Sequence, residues 1–296
     1  MRLVSCGRKG PGIFNFMVML DSPKKESIQR FYDVGSVYYS EIYGEHIHDG
    51  YYITGCESRA EAQENLIRFL VEKAGIQKGA RVLDVGCGTG GGSLWLAKNL
   101  GASTVGITIS SKQLEMAEAS AEKYLTDSVF YLMDAEKMDF ACKFDVTWAV
   151  AVCTHFEKQR EFIKRATRFL VSGGTFIIYD WMLPPSGPGN SNDGRYLTSV
   201  KRGLLLQSLH TLAEYKAWFT EIGYDIVYAE DVTPFTIKTW DDAIYFVKQP
   251  AVWKLIYELV RKEGKEVFSF VKSLSDMKTA LNKKKLIAGI IIARKK

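Results

Sequence analysis

Residues 80–92 are the stretch best suited to hold a ligand, and they read Ala-Arg-Val-Leu-Asp-Val-Gly-Cys-Gly-Thr-Gly-Gly-Gly. The apolar half of this stretch is typical of a short, buried parallel strand. The glycines that follow it are Gly86, Gly88 and Gly90. They permit a tight turn in which no side chain keeps a ligand away from the backbone. A helix over residues 91–100 would then direct its free N–H groups and its positive dipole end at that ligand.

Two classes of cofactor use a turn of this kind. Gly86, Gly88 and Gly91 satisfy the G-x-G-x-x-G pattern of dinucleotide sites, which also expects an acid about 20 residues further on to hold the ribose. The second strand reads Ser103-Thr-Val-Gly-Ile-Thr108, and no acid follows it. A dinucleotide is therefore disfavoured. A glycine turn that binds no ligand and has only a structural role is a further alternative.

Three histidines are candidate catalytic residues, because a near-neutral pKa suits the removal of a proton. His155 lies in Cys153-Thr-His-Phe156, directly after the fourth predicted strand, and a purely structural histidine is an equal alternative there. His46 and His48 are its rivals. Their His-x-His spacing also suggests a metal site, but the sequence shows no recognisable third ligand, so no metal site is predicted.

Composition limits the partners and the compartment. Net charge is +5 over 296 residues, with basic clusters at 283–285 and 294–296, but no basic stripe with interleaved aromatics suggests a nucleic-acid partner. The five cysteines show no C-x-x-C spacing, which favours a reducing, cytoplasmic setting. No stretch reaches the roughly 18 apolar residues that a transmembrane segment needs. The oligomeric state stays open, with a homodimer as one outcome.

Strands and helices alternate through the middle of the chain, which predicts βαβ units and a parallel sheet. Strands are predicted at 81–85, 103–107, 128–133, 144–150, 175–181, 224–229 and 286–293. Helices are predicted at 23–39, 58–74, 91–100, 111–125, 157–170 and 212–222, with a helical run over 239–281. The expected fold is α/β: a Rossmann-like, seven-stranded, mostly parallel sheet with helices on both faces, an N-terminal helical lid and a helical cap before the last strand.

This pattern divides the chain into an N-terminal extension and one domain. Residues 13–20 are apolar and follow two basic residues, but no small-residue cleavage site succeeds them, so 1–22 is predicted to be an extension. Residues 23–296 form the domain. Its parts are lid helices at 23–75, a cofactor-binding core at 76–183, a substrate loop and cap at 184–285, and the last strand at 286–296. Most aromatic residues of the cap are expected to lie in its core.

Asp84 stands two residues before Gly86, and the resulting D-x-G-x-G resembles the class I S-adenosylmethionine (SAM) methyltransferases over about residues 81–181. Within that superfamily the chain is most similar to the γ-tocopherol methyltransferase-like small-molecule enzymes, over most of 28–295. The segments that carry this similarity are Tyr32-Asp33, Tyr43-Gly-Glu-His-Ile-His-Asp-Gly-Tyr51, Gly106-Ile-Thr-Ile-Ser110 with Gln113, Pro234-Phe235, Trp253 and Lys285-Leu-Ile-Ala-Gly-Ile-Ile.

The resemblance implies SAM as the cofactor, S-adenosylhomocysteine as its product, and a role for each matching residue. The glycines would pass under the methionine part, with Asp84 ordering the turn and Val150 near the sulfonium. Tyr32 would close over the methionine carboxylate. The residues implied to contact the ribose, adenosine and adenine are Thr108, Ile109, Gln113, Asp134 and Ala135. For three of these positions simpler alternatives stay open: Gln113 capping a helix with Ser110, Tyr32 packing in its helix, and Asp134 capping a turn.

The chain departs from the family in the loop after the fourth strand. Family members commonly carry an acid there, and the run Ala151-Val-Cys-Thr-His155 has none. Cyclopropane-forming relatives use a glutamate at this place to hold bicarbonate, so that reaction is disfavoured here. The gap predicts a more apolar site.

The resemblance therefore predicts a SAM-dependent methyltransferase, of the EC 2.1.1 type, in secondary metabolism. Because an aromatic-rich cap suits a flat apolar molecule, the acceptor is expected to be a hydrophobic, aromatic small molecule, methylated on nitrogen, carbon or oxygen. The main alternative is a natural-product cyclase or isomerase that binds SAM on the same fold, which would leave the product mass unchanged. A SAM-binding regulatory module is the non-enzymatic alternative.

Overall fold

The computed structural model describes residues 24–187, 194–263 and 266–296. Its centre is a seven-stranded sheet in the order β3-β2-β1-β4-β5-β7-β6, in which β7 alone runs antiparallel to its neighbours. The strands are β1 Arg81–Val85, β2 Ser103–Thr108, β3 Ser128–Leu132, β4 Phe144–Val150, β5 Leu170–Met182, β6 Tyr224–Asp231 and β7 Ile287–Lys295. This sheet confirms the predicted Rossmann-like fold.

Helices surround the sheet and cover the edge at which its parallel strands end. They are α1 Lys25–Tyr43, α2 Arg59–Ala74, α3 Gly91–Leu100, α4 Ser111–Tyr124, α5 Gln159–Ala166, α6 Gly194–Gly203, α7 Leu212–Glu221, α8 Thr233–Thr236, α9 Lys238–Val247, α10 Pro250–Glu263 and α11 Glu266–Asn282. Among the helices described here, none is both long and apolar enough to cross a membrane. The predicted extension at 1–22 and the predicted helix start at Ser22-Pro23 lie outside the described residues.

Both faces of the sheet are buried, because successive side chains of a strand point to opposite sides. In β5, Phe176 and Ile178 belong to one hydrophobic core, whereas Ile177 and Tyr179 belong to the other. All four side chains are fully buried. This double burial explains why the strands read as continuous apolar runs rather than as alternating ones.

The cap is built from two insertions and not from the single one predicted. Helix α6, which the sequence did not predict, follows β5, whereas α8–α11 follow β6. A third hydrophobic core joins them through Leu197 of α6, Trp240 of α9 and Leu274 of α11. Gly203 shows how closely α6 lies on α11, since a Cβ there would be 2.3 Å from Cβ of Ser273.

Four other predictions need correction. Helix 1 spans Lys25–Tyr43 rather than 23–39, and the helix predicted at 157–170 ends at Ala166, followed by a 3-10 turn. The strand predicted at 175–181 begins earlier, at Leu170, so Gly173 and Gly174 lie within β5, at a register shift relative to β4. Most of the cap aromatics are not in its core: the exposed ones are Tyr245, Trp253, Tyr257 and Phe268.

Candidate functional site

A cavity lies at the edge where the parallel strands end, between the core, α1 with the segment that follows it, and the cap. It collects nearly all of the residues that the sequence singled out. Those that line it are Tyr32, His46, His48, Asp84, Gly86, Gly88, Thr108, Ile109, Gln113, Asp134, Ala135, Val150 and His155. Gly90 is outside this lining, and a Cβ at Gly90 would instead lie 3.0 Å from the ring of Phe130.

The glycine turn after β1 needs a residue without a side chain at its first position. Gly86 has a φ of 70°, and a Cβ there would lie 2.3 Å from Cγ2 of Val152. Its N–H donates to the carbonyl of Ile107 at 2.9 Å, which ties the turn to β2. Helix α3 follows with no side-chain cap at its first turn, so its N–H groups can bind an anionic group.

Gly91, whose role the sequence did not reveal, allows the lid to approach the core. A Cβ at Gly91 would lie 2.2 Å from the carbonyl oxygen of Glu45 and 2.6 Å from Nδ1 of His46. The signal was visible as the last glycine of G-x-G-x-x-G, but it points here to close packing of the segment after α1 and not to a dinucleotide.

Asp84 joins the end of β1 to α3. Its carboxylate is buried, with 4% of the residue exposed, and accepts a hydrogen bond of 2.7 Å from Oγ of Ser93. Burial raises the pKa of Asp84 to about 6, against an ordinary 3.8, because a buried charge is disfavoured. The carboxylate therefore links the end of β1 to Ser93 of α3 across the glycine turn.

Gln113 is held by the end of β2. Thr108 Oγ1 donates to its Oε1 at 2.7 Å, and the backbone N–H of Ser110 donates to Thr108 Oγ1 at 3.1 Å. Ser110 Oγ accepts from the N–H of Gln113, so half of the predicted capping box is present. The other half is not formed, because the Gln113 side chain bonds Thr108 instead of returning to the Ser110 backbone. Capping alone does not explain this residue.

Asp134, at the end of β3, ties α1 to the core. Its Oδ2 accepts from Nζ of Lys25 at 2.7 Å, and its Oδ1 accepts from the backbone N–H of Glu136 at 2.9 Å. Asp134 thus caps a turn, as the simpler alternative has it, and also forms an ion pair with the lid. Lys25 also bonds the Glu136 carboxylate at 2.6 Å.

The same helix reaches His155 through Tyr32. The Tyr32 hydroxyl and His155 Nε2 are 2.7 Å apart, and His155 Nδ1 lies 3.2 Å from the carbonyl oxygen of Leu205. Because that carbonyl can only accept, Nδ1 carries the proton and Nε2 accepts from Tyr32. Burial lowers the pKa of His155 to about 4, so the ring is neutral at neutral pH.

An acid does lie beside the loop after β4, but it comes from the next strand. Asp180, near the end of β5, accepts from both the backbone N–H and Oγ1 of Thr154, each at 3.0 Å. Burial raises its pKa to about 6. The loop itself carries no acid, and Asp180 is fully buried beneath it and does not line the cavity. The prediction of a more apolar site therefore stays a prediction.

His46 and His48 lie side by side in the segment after α1, with ring centroids 5.2 Å apart. Burial lowers the pKa of His46 to about 4 and that of His48 to about 3, so both are neutral at neutral pH. Within the described parts of the chain, no third histidine, cysteine or carboxylate joins them in a group that could hold a metal.

Tryptophans form the wall of the cavity nearest the cap. Asp49 Oδ2 accepts from the Tyr179 hydroxyl at 2.6 Å and from Trp181 Nε1 at 2.9 Å, which fixes the Trp181 ring. Trp181 meets Trp240 edge to face, with centroids 5.5 Å apart. Trp181, Trp240 and Phe270 all line the cavity, which gives it an apolar chamber beyond the glycine turn.

Residues 20–252 match the family model described as mycolic acid cyclopropane synthetase. The chain belongs to this family. Its members are SAM-dependent methyltransferases, and this chain is a SAM-dependent methyltransferase with S-adenosylhomocysteine as its product. The cofactor and the reaction class predicted from the glycine turn are thereby confirmed.

Two relatives that are named as methyltransferases support this assignment. The chain is 31% identical over 76% of its length to 27-O-demethylrifamycin SV methyltransferase of Amycolatopsis mediterranei, of which the match covers 83%. It is 30% identical over 82% of its length to a rice (Oryza sativa subsp. japonica) protein named probable tocopherol O-methyltransferase, chloroplastic, of which the match covers 71%. The predicted similarity to tocopherol methyltransferase-like enzymes is confirmed.

A solved structure shares the fold across almost the whole chain. The mycolic acid cyclopropane synthase CmaA1, complexed with SAH and CTAB, has a TM-score of 0.80 and 18% identity, over 93% of this chain and 99% of that one. The residues present here suit SAM on their own chemistry. An uncapped helix N-terminus fits a carboxylate, and the polar side chains of Gln113 and Asp134 line the cavity and can bond hydroxyl and amine groups.

Proposed function

We propose that this methyltransferase acts on a hydrophobic small molecule, and that the acceptor binds in the apolar chamber beside the tryptophan wall. The observation that supports this is the continuity of one cavity, which runs from the glycine turn of the core to Trp181, Trp240 and Phe270 under the cap. A cavity lined by aromatic side chains with a few polar atoms is typical of sites for flat apolar molecules.

The cofactor end of the cavity is proposed to hold SAM as the sequence predicted. Gly86, Gly88 and the first turn of α3 would bind the methionine part. Tyr32 would lie near its carboxylate and Val150 near its sulfur. The residues proposed for the ribose and adenine are Thr108, Ile109, Gln113, Asp134 and Ala135. Asp84 and Gly90 would act indirectly, through the shape of the turn.

Bound SAM supplies a methyl group already activated on a sulfonium sulfur, so the protein mainly aligns the acceptor and excludes water. The lid segment and the cap do both. Where the acceptor atom must lose a proton, His155 is one of three candidate bases. Its Nε2 is unprotonated but is occupied by the Tyr32 hydroxyl, so a proton would reach it through Tyr32, against the low pKa that burial gives the ring. His46 and His48 remain proposals on the lid.

Product analysis tests this function. Purified protein is incubated with methyl-labelled SAM and a panel of hydrophobic phenols, alcohols and amines. We expect a product heavier by one methyl in place of one hydrogen, with one S-adenosylhomocysteine per product. A product of unchanged mass would indicate cyclisation instead. Label found only in protein or RNA would contradict the proposal.

A variant that fills the chamber separates acceptor binding from cofactor binding. Ala243 is buried and lines the cavity on α9. We expect Ala243→Phe to lower kcat/KM for bulky acceptors at least tenfold while S-adenosylhomocysteine affinity stays within twofold, since the glycine turn is unchanged. Ala119→Phe, on the exposed face of α4, is the matched control. Equal activity in both variants would place the acceptor elsewhere.

Three finer predictions remain proposals. The first is the division into lid, core and cap at the predicted boundaries, which limited proteolysis tests. The second is a cytoplasmic location, which the free state of the described cysteines Cys56, Cys87, Cys142 and Cys153 supports and which fractionation tests. The third is a homodimer as one outcome, which light scattering on the purified chain distinguishes from a monomer.

A further inference from the structure

The wall of the acceptor chamber contains a buried carboxylate, that of Asp49. Asp49 lines the cavity in the segment after α1, yet only 4% of the residue is exposed. Trp181 and Trp240 line the same cavity. A buried carboxylate is costly unless its oxygens are bonded, so each of the two Asp49 oxygens needs a partner.

One oxygen of this carboxylate is bonded twice, and the other is not bonded. Oδ2 accepts from the Tyr179 hydroxyl at 2.6 Å and from Trp181 Nε1 at 2.9 Å. Oδ1 accepts no hydrogen bond within the described parts of the chain, and it is not one of the fully enclosed polar atoms there that lack a partner. Oδ1 is therefore accessible from the cavity that Asp49 lines.

The residues that the structure describes bond no cation to this carboxylate. Burial raises the pKa of Asp49 above its ordinary 3.8, and the hydrogen bonds from Tyr179 and Trp181 act against that rise. Arg59, at the start of α2, also lowers the pKa, but only through its charge and without a hydrogen bond to Asp49. The neighbouring His48 is neutral, since burial lowers its pKa to about 3. A cationic ligand would therefore complete the partners of Asp49.

Aromatic rings lie beside the carboxylate. Trp181 bonds Asp49 directly, and its ring meets the ring of Trp240 edge to face, with centroids 5.5 Å apart. The backbone N–H of Gly50 donates to Thr239 Oγ1 at 2.9 Å, which joins the residue after Asp49 to the residue before Trp240. A cation is attracted both to a carboxylate and to the face of an aromatic ring. This part of the chamber therefore has the chemistry that binds a hydrophobic ammonium group.

We propose that Asp49 makes the acceptor chamber selective for molecules that carry a basic amine. The ammonium group of the acceptor donates a hydrogen bond to Asp49 Oδ1, and its apolar body packs on Trp181 and Trp240. Asp49 acts by binding and orienting the acceptor, whichever atom of that molecule receives the methyl group. This inference rests on the function proposed above, to which it adds the charge of the acceptor.

Three probes that differ mainly in charge test this selectivity. The protein is saturated with S-adenosylhomocysteine, and its affinity for 2-(aminomethyl)naphthalene, 2-(hydroxymethyl)naphthalene and 2-naphthoate is measured by equilibrium dialysis at about pH 7.5. The first probe is cationic at that pH, the second is neutral and the third is anionic. We expect the amine to bind about tenfold or more tightly than the alcohol, because its hydrogen bond is charge-assisted, and the naphthoate to bind most weakly.

The variant Asp49→Asn removes the charge and keeps an oxygen that can accept from Tyr179 and Trp181. We expect the advantage of the amine over the alcohol to fall to within about twofold, and the naphthoate to bind more tightly than it does to the wild type. Asp49→Glu, which keeps the charge, should retain most of the amine's advantage. The matched control is Asp242→Asn, because Asp242 also accepts from a tyrosine hydroxyl, that of Tyr52 at 2.6 Å, but does not line the cavity. That control should keep the wild-type order of the three probes.

Affinity for S-adenosylhomocysteine separates acceptor selectivity from other roles of Asp49, and each variant should keep it within about twofold. Weaker cofactor binding in Asp49→Asn alone would show that the carboxylate serves the cofactor, and would overturn the inference. The inference is also overturned if the wild type binds the amine and the alcohol equally, or if Asp49→Asn weakens all three probes equally.

The binding measurements do not depend on turnover. A preference for the amine without methylation of any acceptor would contradict the proposed function and leave this inference intact. Methylation of acceptors by a protein without that preference would contradict this inference alone.

Discussion

The two ends of the cavity are built in different ways. At the cofactor end, the polar groups of Asp84, Gln113 and Asp134 are bonded to neighbours in the core or to the lid. At the acceptor end, His48 and Trp240 keep buried polar atoms without partners among the described residues. The polar groups at the cofactor end are thus fixed by hydrogen bonds to neighbouring residues, whereas two buried polar atoms at the acceptor end have no partner among the described residues.

The origin of the residues differs in the same way. The cofactor end comes from loops that directly follow β1, β2 and β3, whereas the acceptor end combines the segment after α1 with β5, α9 and α11. Local turns therefore build the cofactor end, whereas the acceptor end is assembled from segments that are distant in sequence. Substitutions should therefore have separable effects at the two ends, and four predictions test this separation.

The largest effect is expected at the glycine turn. Gly86→Ala forces a Cβ into Val152 and imposes a φ of 70° on a residue with a side chain. We expect S-adenosylhomocysteine affinity to fall at least a hundredfold by calorimetry. Gly101→Ala is the matched control, because Gly101 has a φ of 61° but open space around its Cβ. We expect that variant to lose about 1 kcal/mol of folding stability and to keep the wild-type affinity for S-adenosylhomocysteine. Wild-type affinity in Gly86→Ala would contradict the close packing.

Stability against pH should separate two buried groups, His155 and Asp84, by the sign of their effects. The folded-state pKa of His155 is about 4, below its ordinary 6.5, so its contribution to stability is present above pH 6.5 and is lost as pH falls toward 4. The pKa of Asp84 is raised to about 6 from 3.8, so its contribution grows as pH falls through 6.

Urea unfolding at pH 7.5 and pH 5 measures both. On moving to pH 5, the wild type should lose about 2 kcal/mol relative to His155→Phe and gain about 1 kcal/mol relative to Asp84→Asn. If the unfolding free energy changes in the same direction in both comparisons, at least one of the two pKa values is not shifted in the direction given above.

A smaller effect is expected where the lid meets α3. Gly91→Ala places a Cβ 2.2 Å from the Glu45 carbonyl oxygen, so the lid segment must move outward. We expect KM for SAM to rise about tenfold while the melting temperature is unchanged, since alanine suits the first turn of a helix. Gly194→Ala, at the first residue of α6 and with open space around its Cβ, should leave KM within twofold. An equal KM in both variants would show that lid contact is unimportant for the cofactor.

The smallest effect is expected from the ion pair between lid and core. Lys25→Met removes the contacts to Asp134 and Glu136, which are partly exposed and so contribute about 1 kcal/mol or less. We expect S-adenosylhomocysteine to dissociate a few times faster in stopped-flow fluorescence. Lys112→Met, which removes an exposed ion pair with Glu115 on α4, should not change that rate. Identical dissociation rates in the two variants would show that the ion pairs of Lys25 do not slow the release of S-adenosylhomocysteine.

The sequence predicted the parts of this molecule that local patterns determine. The seven strands were all found, and β1 and β4 have the predicted bounds, because buried parallel strands are short apolar runs between glycine turns and helices. The cofactor residues follow from the same logic, since they stand directly after strands. A resemblance to a known family supplied their individual roles.

The rest depends on contacts between distant segments. Helix α6 was missed because it follows a proline-rich loop and is stabilised by packing on α11, which no local pattern records. Asp180 was missed because its partner, Thr154, lies on a different strand end. The Lys25 to Asp134 pair spans 109 residues of chain and has no signature in either segment.

One helix lies over the cavity and is fixed at two points. Lys25 of α1 binds Asp134 after β3, and Tyr32 of the same helix binds His155 after β4. Because both residues belong to one helix, neither contact can open without disturbing the other. Turnover should consequently be ordered, with SAM binding first and S-adenosylhomocysteine leaving last. Inhibition by S-adenosylhomocysteine would then be competitive against SAM and not against the acceptor.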